Sequence, residues 1–600
     1  MIKHLLPLLL FSTLAHADPV VDILPPLLPW QGASEQYLTS ADDPWRTPAE
    51  ASGLTDSPDY ATTMDWLQRL AAASNQVNLQ TIGDSAQGRA IRMAVVDRDG
   101  LSDATAIQES GRAIVLIHGG IHAGEIDGKD AGLMLLRDLT VKASLSSLLD
   151  QVSILFIPIL NVDGHERRSP FNRINQRGPR QMGWRTNARN LNLNRDYAKL
   201  ETEEVRALTA TINIWQPDLY IDVHVTDGAD YQYDITYGWN GPHGWSPSIA
   251  NWLDDSLRPA VNRALREQGH VPGPLIFAVN GRDMDAGMVS WTATPRYSNG
   301  WGDARHMATI LVENHSLKPY RQRVLGTYVM LRSALQVAGA ERESLRQATL
   351  QDRFAARDQV PLGFAAGDQN GSIRFQGIRS RSELSAISGG LVTRWLGEND
   401  EREIPLVVMD KATVSVKRPR FYYLPAAWYP LANRLRDQGI LVDELSGEAT
   451  LEVQRYRLPE ARLDADNTPF EGRARYQSGE PQSETVSIHF QAGDFRIDTR
   501  QSLGTLAVLL LEPQSPDSLF QWGYLSSILQ ATEYFEAYAM EPLAARMLAE
   551  DAELAQAFRR KIAEDPAFAG DARARLHWFY ERSPYFDQQY QVYPVYRQFE

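Results

Sequence analysis

His122, Glu125 and His224 are the residues whose types and spacing favour chemistry most strongly. His122 and Glu125 lie three residues apart in a glycine-rich loop after the apolar run 113–117, and His224 lies in a second apolar run, 219–225. Neighbouring strands of a sheet can bring two such segments together. Zinc accepts nitrogen and oxygen ligands, and a catalytic zinc usually takes three protein ligands and leaves one position open. The sequence therefore predicts a zinc site made by these three side chains.

The elements that must position these residues alternate between strands and helices. Apolar runs at 113–117, 152–160, 219–225 and 308–312 predict buried strands, and 77–82 with 90–96 predict a hairpin closed by a Gly-Asp-Ser turn. Helical spacing occurs at 60–72, 201–214, 246–268 and 320–345. Further on, 350–515 contains short β-type runs such as 372–375, 485–490 and 506–511, and 519–568 is more helical. The pattern predicts an α/β region followed by a β-rich and then helical region.

Composition limits the possible functions. The chain has 600 residues, 43% of them hydrophobic and 22% charged, which predicts several folded domains. Its net charge of -15 argues against a nucleic-acid partner, since that would require a basic surface. There are no cysteines, which excludes thiol catalysis and cysteine-based zinc sites. No stretch of 18 or more apolar residues follows the amino terminus, so no transmembrane span is expected.

Residues 1–17 have the pattern of a secretory signal peptide. Lys3 precedes the apolar segment 5–14, and Ala15-His16-Ala17 forms an A-x-A cleavage site. The protein is therefore expected to be exported, to the periplasm or to the outside of the cell. Residues 18–57 are rich in proline, serine and aspartate, and we predict that they form an extended arm on the surface.

The order of several short motifs resembles that of a known enzyme family. HAGE, NVDG, WR, NLNRDY, DVH and a late LVEN follow one another as in the zinc metallocarboxypeptidases, the funnel carboxypeptidases related to carboxypeptidase A. The resemblance covers about 60–345. It implies a mixed, largely parallel sheet of about eight strands flanked by helices, with the metal at the carboxyl ends of central strands. We therefore predict a catalytic domain at 58–348 and a C-terminal region of unknown function at 349–600.

The resemblance assigns a role to each of five positions. It implies one Zn²⁺ per chain, held by His122, Glu125 and His224. Glu313 matches the glutamate that takes a proton from the attacking water and passes it to the leaving amine. Arg185 matches the arginine that stabilises the oxyanion.

The resemblance also implies four residues around the substrate and the first histidine. Asn194 and Arg195 match the pair that binds the terminal carboxylate of the substrate. Asn192 occupies the place where many relatives have an aspartate that accepts a hydrogen bond from the first histidine. Tyr297 is the expected substrate-contacting tyrosine, although the family's spacing would place that residue nearer Trp291.

These features predict an exported zinc metallocarboxypeptidase acting on peptides with a free C-terminal carboxylate. One alternative keeps the zinc and changes the substrate to a cell-wall peptide or an N-acyl amino acid. Another is a non-catalytic protein that binds a peptide or glycan through its C-terminal region. A serine esterase using Ser85, Asp303 and His306 is disfavoured, because Ser85 lies in a predicted turn where serine is common for backbone reasons.

Overall fold

The computed structural model describes residues 23–281, 283–355, 357–368, 371–464 and 468–599. The predicted signal peptide, 1–17, lies outside these residues. Within the described part of the chain, no helix has both the length and the apolar character needed to cross a membrane.

A mixed sheet forms the centre of the first half of the chain. The strands of this half are β1 (Val77–Asp84), β2 (Ala90–Val96), β3 (Ala113–Gly119), β4 (Val152–Ile157), β5 (Leu219–Thr226), β6 (Ile235–Gly238), β7 (Pro272–Pro274), β8 (Phe277–Ala278), β9 (Met288–Ser290) and β10 (Ala308–His315). Eight of them form one sheet in the order β1-β2-β4-β3-β5-β10-β6-β7. The pairs β3/β4, β3/β5, β5/β10 and β6/β7 are parallel. The predicted mixed, largely parallel sheet of about eight strands is confirmed.

Helices cover both faces of this sheet. They are α1 (Pro48–Ala51), α2 (Tyr60–Ala73), α3 (Ala104–Glu109), α4 (Asp127–Leu139), α5 (Val162–Glu166), α6 (Glu203–Trp215), α7 (Pro247–Trp252), α8 (Arg258–Glu267), α9 (Ser298–Ala304), α10 (Tyr320–Ala340) and α11 (Arg342–Phe354). Strand β3 shows why its sequence is a continuous apolar run. Val115 and Ile117 pack with α4 and α10 on one face, whereas Ile114 and Leu116 pack with α6 on the other. Side chains alternate across a strand, so a strand covered on both sides needs apolar residues at every position.

The predicted extended arm is held to the sheet domain by a buried ion pair. Arg137 on α4 donates two hydrogen bonds to the carboxylate of Glu50, at 2.7 and 2.8 Å. Both side chains are almost fully buried. A guanidinium that pairs with a carboxylate in this way fixes the orientation of both groups. The described part of the arm contains α1 and a short 3-10 helix, Ala33–Tyr37.

The C-terminal region is β-rich and then helical, as predicted. Its strands are β11 (Gln359–Pro361), β12 (Phe364–Ala365), β13 (Gly371–Leu384), β14 (Leu391–Val408), β15 (Lys411–Ala412), β16 (Ser415–Lys417), β17 (Phe421–Leu424), β18 (Asp443–Glu444), β19 (Ala449–Arg457), β20 (Arg462–Leu463), β21 (Tyr476–Gln477), β22 (Gln482–Phe490), β23 (Phe495–Asp498) and β24 (Tyr596–Gln598). Its helices are α12 (Tyr429–Asp437), α13 (Gly504–Leu511), α14 (Ala537–Glu550), α15 (Ala552–Glu564), α16 (Pro566–Gly570) and α17 (Ala572–Tyr580). A six-stranded sheet has the order β18-β23-β17-β24-β19-β22.

Two details of the sequence prediction for this region are wrong. The run 506–511, predicted as β-type, lies in helix α13, whose eight residues are all buried. A short, wholly apolar run fits a buried strand and a buried helix equally well, so its pattern could not decide between them. The predicted helical segment 519–568 also begins late, because its first α-helix, α14, starts at Ala537.

The C-terminal region shares a hydrophobic core with the sheet domain. Leu506 and Leu509 of α13 belong to the same buried cluster as Leu208 and Ile212 of α6. Helix α11 also runs across residue 348, where we predicted the domain boundary. The division into domains stays a prediction, but the two regions pack directly against each other.

Candidate metal centre and active site

Three neighbouring strands bring the predicted metal ligands and Glu313 to one edge of the sheet. His122 and Glu125 follow the end of β3, where Gly120 has φ +65°, a conformation that glycine adopts without strain. His224 lies near the end of β5, the strand beside β3. Glu313 is paired with His224 across the parallel ladder of β5 and β10. Parallel strands end at the same edge, so these side chains meet there.

The three predicted ligand atoms lie almost at the corners of an equilateral triangle. Nδ1 of His122 is 3.1 Å from Oε2 of Glu125 and 3.2 Å from Nδ1 of His224. Nδ1 of His224 is 3.0 Å from the same oxygen of Glu125. Zinc bonds of about 2.0–2.1 Å in tetrahedral geometry separate two ligand atoms by about 3.3 Å. These residues therefore form a group that could hold one metal ion, and the donor set suits zinc.

A polar group contacts the other ring nitrogen of each histidine. The amide oxygen of Asn192 lies 2.9 Å from Nε2 of His122, as we predicted for the partner of this histidine. A carboxylate oxygen of Asp222 lies 2.8 Å from Nε2 of His224. Such partners fix the ring so that Nδ1 points at the metal position. The Asp222 carboxylate also accepts a hydrogen bond from the hydroxyl of Ser298 and lies 3.3 Å from Nε2 of His118.

The charges in this buried group are strongly coupled. Burial lowers the pKa of His122 to about 4, so its imidazole is neutral and available as a ligand. Burial opposes a charge on His224, but Asp222 and Glu125 outweigh it and raise the pKa of His224 to about 10. Burial likewise opposes ionisation of Asp222, yet His224 and His118 lower the pKa of its carboxyl to about 2. A cation that binds here must therefore displace a proton from His224.

Glu313 places a carboxylate beside the ligand triangle. Strand β10 continues to His315, so Glu313 lies inside the strand rather than at its end. Its Oε2 atom is buried and has no hydrogen-bond partner among the described residues. Burial raises the pKa of the Glu313 carboxyl to about 8, although the charge of His224 opposes this shift. A buried carboxyl group with a raised pKa and an unused oxygen is suited to accept and return a proton.

Two arginines contact the second oxygen of Glu125. Nη1 of Arg173 lies 2.8 Å from Oε1, and Nη1 of Arg185 donates to the same atom at 3.1 Å. The Arg185 side chain is 43% exposed, whereas that of Arg173 is 10% exposed. The close approach of Arg173 requires Gly124, because a Cβ atom there would lie 2.5 Å from Cδ of the arginine. Arg185 is therefore the arginine that faces the open side of the site.

The three predicted substrate residues differ in how they are engaged. Oδ1 of Asn194 accepts a hydrogen bond from the backbone N–H of Ser298 at 2.9 Å, and its Nδ2 lies 3.2 Å from Nε2 of His224. Both ends of this amide thus contact protein groups behind the metal ligand. Arg195 stacks over the ring of Tyr297 at 4.3 Å and donates from Nη1 to the carbonyl oxygen of Asn194. The tyrosine ring also packs against Trp291, at 4.5 Å between ring centroids.

A turn from the C-terminal region reaches the same edge of the sheet. The turn at 470–473 is closed by two backbone hydrogen bonds, and the Phe470 ring stacks on Trp522. Glu471 in this turn accepts a hydrogen bond from the backbone N–H of Asn192 at 3.0 Å. Its own carbonyl oxygen accepts one from Nζ of Lys199 at 3.1 Å. The C-terminal region therefore contacts the loop that carries Asn192.

The disfavoured esterase residues do not form a catalytic triad. Oγ of Ser85 donates to Asp163 at 2.8 Å. The two ring nitrogens of His306 contact hydroxyl groups of Ser246 and Thr505 instead. Asp303 accepts a hydrogen bond from Asn240.

The sequence analysis missed several residues of the site. Asp222 could have been found, because it precedes His224 by two positions and so lies on the same face of β5. Arg173 was hidden in an arginine-rich loop, where spacing does not distinguish one arginine from another. Ser298 and Glu471 gave no signal, since only the folded chain places them beside the site.

Comparisons with known proteins agree with this geometry. Residues 63–237 match the family model of the zinc carboxypeptidases. Carboxypeptidase 2 of Trichophyton tonsurans is 22% identical over 521 residues, covering 80% of this chain and 87% of that protein. Carboxypeptidase 2 of Trichophyton rubrum is 22% identical over 494 residues, covering 78% and 85%. Both similarities are longer than the predicted catalytic domain, 58–348, so they include part of the C-terminal region.

Among solved structures, carboxypeptidase A of Helicoverpa armigera is similar, with a TM-score of 0.36 and 19% identity over 48% of this chain and 75% of that chain. A metallo-carboxypeptidase of Pseudomonas aeruginosa has a TM-score of 0.36 and 18% identity over 49% and 71%.

The mixed sheet with a His-Glu-His group at its edge, taken with the family match, defines a peptidase of the metal-dependent hydrolase class. The segment 63–237 is therefore similar to the zinc carboxypeptidases, and the similarity to the two Trichophyton carboxypeptidases extends beyond this segment.

Proposed function

We propose that this protein is an exported, zinc-dependent carboxypeptidase that hydrolyses the last peptide bond of peptides with a free carboxyl terminus. One observation carries the proposal. The nitrogen and oxygen atoms of His122, Glu125 and His224 converge to within 3.0–3.2 Å of one another beside the unused carboxylate oxygen of Glu313. Export is supported by the signal-peptide pattern of residues 1–17.

The residues present fit a zinc ion. Two histidine nitrogens and one carboxylate oxygen match the ligand set of catalytic zinc, and their spacing matches tetrahedral coordination. Zinc held by these residues supplies an activated water and polarises the carbonyl group of the scissile bond. Asn192 and Asp222 orient the two imidazole rings through their Nε2 atoms.

Glu313 moves the protons in the proposed reaction. Its free Oε2 atom takes a proton from the attacking water and then donates it to the nitrogen of the leaving amino acid. Burial raises the pKa of the carboxyl group, so its ionised form is a stronger base for the first step, and its protonated form is favoured until the proton is donated in the second. General acid–base groups in such positions contribute about 10²–10⁴-fold to the rate.

Two arginines bind the negatively charged groups of the substrate, Arg185 the oxyanion and Arg195 the terminal carboxylate. Arg173 remains on Glu125 when Arg185 turns towards the oxyanion, so the ligand keeps one cationic partner. Among the described residues, the hydrogen bond that the Arg195 guanidinium donates is from Nη1 to the carbonyl oxygen of Asn194. Its remaining N–H groups can bind the terminal carboxylate of a peptide. A guanidinium can bind a carboxylate through two parallel hydrogen bonds, and Tyr297 limits the movement of this one.

Paired peptides test the proposal. The zinc-loaded protein should release the last residue of an N-blocked dipeptide with a free carboxylate, and should leave the same dipeptide intact when its carboxyl terminus is amidated. Arg195→Met should raise KM for the free peptide strongly. Arg374→Met is a matched control, because Arg374 lies on the β13–β14 hairpin and pairs with Glu401 there. Equal cleavage of the two peptides would contradict the proposal.

The amidase alternative predicts a different substrate preference. Turnover of a muropeptide or an N-acyl amino acid well above that of all blocked dipeptides would assign the same site to an amidase. Binding without turnover of any of these substrates would instead favour the non-catalytic alternative.

A further inference from the structure

A second cavity lies between the sheet domain and the C-terminal region. It has a volume of about 360 Å³. It is lined by His306 of the sheet domain, by Arg353 of α11 and Arg357 just after this helix, and by Arg418 and Thr505 of the C-terminal region. None of these residues contributes to the metal centre. The cavity is therefore separate from the proposed active site.

Arginines dominate this cavity, and Arg353, Arg357 and Arg418 form no ion pair within 4.0 Å with the described residues. The carboxylate of Asp218 acts on Arg353 from farther away, but it is paired with Arg346 at 2.9 Å. Arg418 donates to the carbonyl oxygens of Arg357 and Thr499 and to the hydroxyl of Thr505. Arg357 donates to the carbonyl oxygen of Gly244. The hydrogen bonds that Arg418 and Arg357 donate thus go to neutral oxygen atoms.

The hydrogen bonding of Arg353 gives a second, independent reason to expect an anion in this cavity. Its Nε atom is buried and has no hydrogen-bond partner among the described residues. Burial lowers the pKa of the Arg353 guanidinium and also that of Arg418. Burying a charge without a partner is unfavourable unless something compensates it.

The other charged groups near the cavity do not compensate these arginines. Burial and the neighbouring arginines lower the pKa of His306 to about 3, so its ring is neutral. The carboxylate of Asp498 pairs with Arg420 and lies 3.9 Å from Arg500. Asp358 also lines the cavity, but it is exposed to solvent. Among the described residues that line the cavity, positive charges therefore outnumber negative ones.

We propose that this cavity binds a phosphate group, either as free phosphate or as part of a small phosphate monoester. A tetrahedral oxyanion offers several acceptors to guanidinium groups, which bind it through paired hydrogen bonds. The cavity is larger than one phosphate ion, so a phosphorylated small molecule also fits. Arg353 lies near the end of α11, a helix that packs into the core of the sheet domain through Leu345 and Ala348. Arg418 follows β16 in the C-terminal region, so the bound anion ties this region to α11.

Calorimetric titration of the full-length, zinc-loaded protein tests the proposal. Sodium phosphate and ribose 5-phosphate are titrated separately at constant ionic strength, with sodium chloride as the reference. We expect saturable binding of at least one of them, with a matching rise in Tm. Arg353→Gln should weaken that binding at least tenfold, and Arg418→Gln should do the same if it folds. Arg379→Gln, on the exposed β13–β14 hairpin, should leave it unchanged.

The two ligands and the variants separate the outcomes. Tighter binding of ribose 5-phosphate would identify a phosphorylated molecule as the ligand, and tighter binding of phosphate would identify the free ion. Phosphate that binds at the metal centre would be unaffected by Arg353→Gln. Unchanged affinity in Arg353→Gln, or no saturable binding of either ligand to the unsubstituted protein, would overturn the proposal.

Discussion

Glu471 accepts a hydrogen bond from the backbone N–H of Asn192 at 3.0 Å, although 279 residues separate them in the chain. The side chain of Asn192 in turn contacts Nε2 of His122, one of the proposed metal ligands. A residue of the C-terminal region is therefore two hydrogen bonds away from the metal position. This relationship gives the C-terminal region a part in shaping the active site.

Glu471→Ala should lower the activity of the enzyme without preventing metal binding. The Asn192 loop would lose its anchor, so the amide oxygen would hold the His122 ring less firmly. Groups that orient metal ligands are typically worth about 10–100-fold in metal affinity or activity, and we expect the lower end for this indirect contact. The measurements are kcat/KM for a blocked dipeptide with a free carboxylate, and the affinity of the protein for zinc.

Glu480→Ala is the matched control for this prediction. Glu480 is also in the C-terminal region, and its carboxylate accepts a hydrogen bond from Gln514 rather than from the sheet domain. The Glu480→Ala variant should have the same kcat/KM and zinc affinity as the unsubstituted enzyme. Equal kcat/KM in Glu471→Ala and Glu480→Ala would show that the contact between Glu471 and Asn192 does not influence the site.

Removing the metal should destabilise the protein as well as inactivate it. The metal group consists of three nearly fully buried side chains, those of His122, Glu125 and His224. Their ligand atoms lie close together, and a bound cation would offset the repulsion between the lone pairs of these atoms. A ligand that binds only the folded state stabilises it by about 4.1 kcal/mol at 1,000 times its Kd. A strong chelator should therefore lower Tm by several degrees, and stoichiometric zinc should restore both Tm and turnover.

His224→Ala supplies the comparison for the chelation experiment. With one ligand gone, its Tm should be insensitive to both the chelator and zinc. A chelator effect of the same size in His224→Ala would place the stabilising metal elsewhere in the molecule.

Glu313→Gln should abolish turnover while zinc stays bound. Glutamine preserves the shape of the side chain but cannot accept a proton, so the loss should be about 10²–10⁴-fold in kcat. Zinc content by elemental analysis should remain one per chain, because Glu313 is not one of the three converging ligands. Turnover within threefold of the unsubstituted enzyme would contradict the role assigned to Glu313.

Much of the fold and the metal group could be predicted because local sequence patterns encode them. Strand β2 begins and ends where the apolar run 90–96 does, and β5 extends the run 219–225 by one residue. A buried strand needs apolar residues at every position, which produces a continuous run in the sequence. The ligands lie near the ends of such runs or just after them, so the sequence indicated both their residue types and their positions in the fold.

The remaining features depend on contacts between distant segments. Helix α13 was predicted as a strand because its burial on every side removes the helical alternation that identifies a surface helix. The pairing of Glu471 with Asn192, and the convergence of Arg418 on α11 with its Arg353, require the C-terminal region to pack against the sheet domain and its helices. No local pattern in the sequence encodes such packing.

Asn192→Asp tests how the partner of His122 tunes the metal site. The amide oxygen of Asn192 accepts the imidazole N–H without bringing a negative charge. A carboxylate would make the same hydrogen bond and raise the basicity of the ring, so it should hold zinc more tightly and make the metal less electrophilic. We expect slower zinc loss to a chelator and a lower kcat.

Asn192→Ala should have the opposite effect on zinc retention, with a loss of about 10–100-fold in affinity. If both variants retained zinc like the unsubstituted enzyme, the contact between Asn192 and His122 would have no influence on the metal.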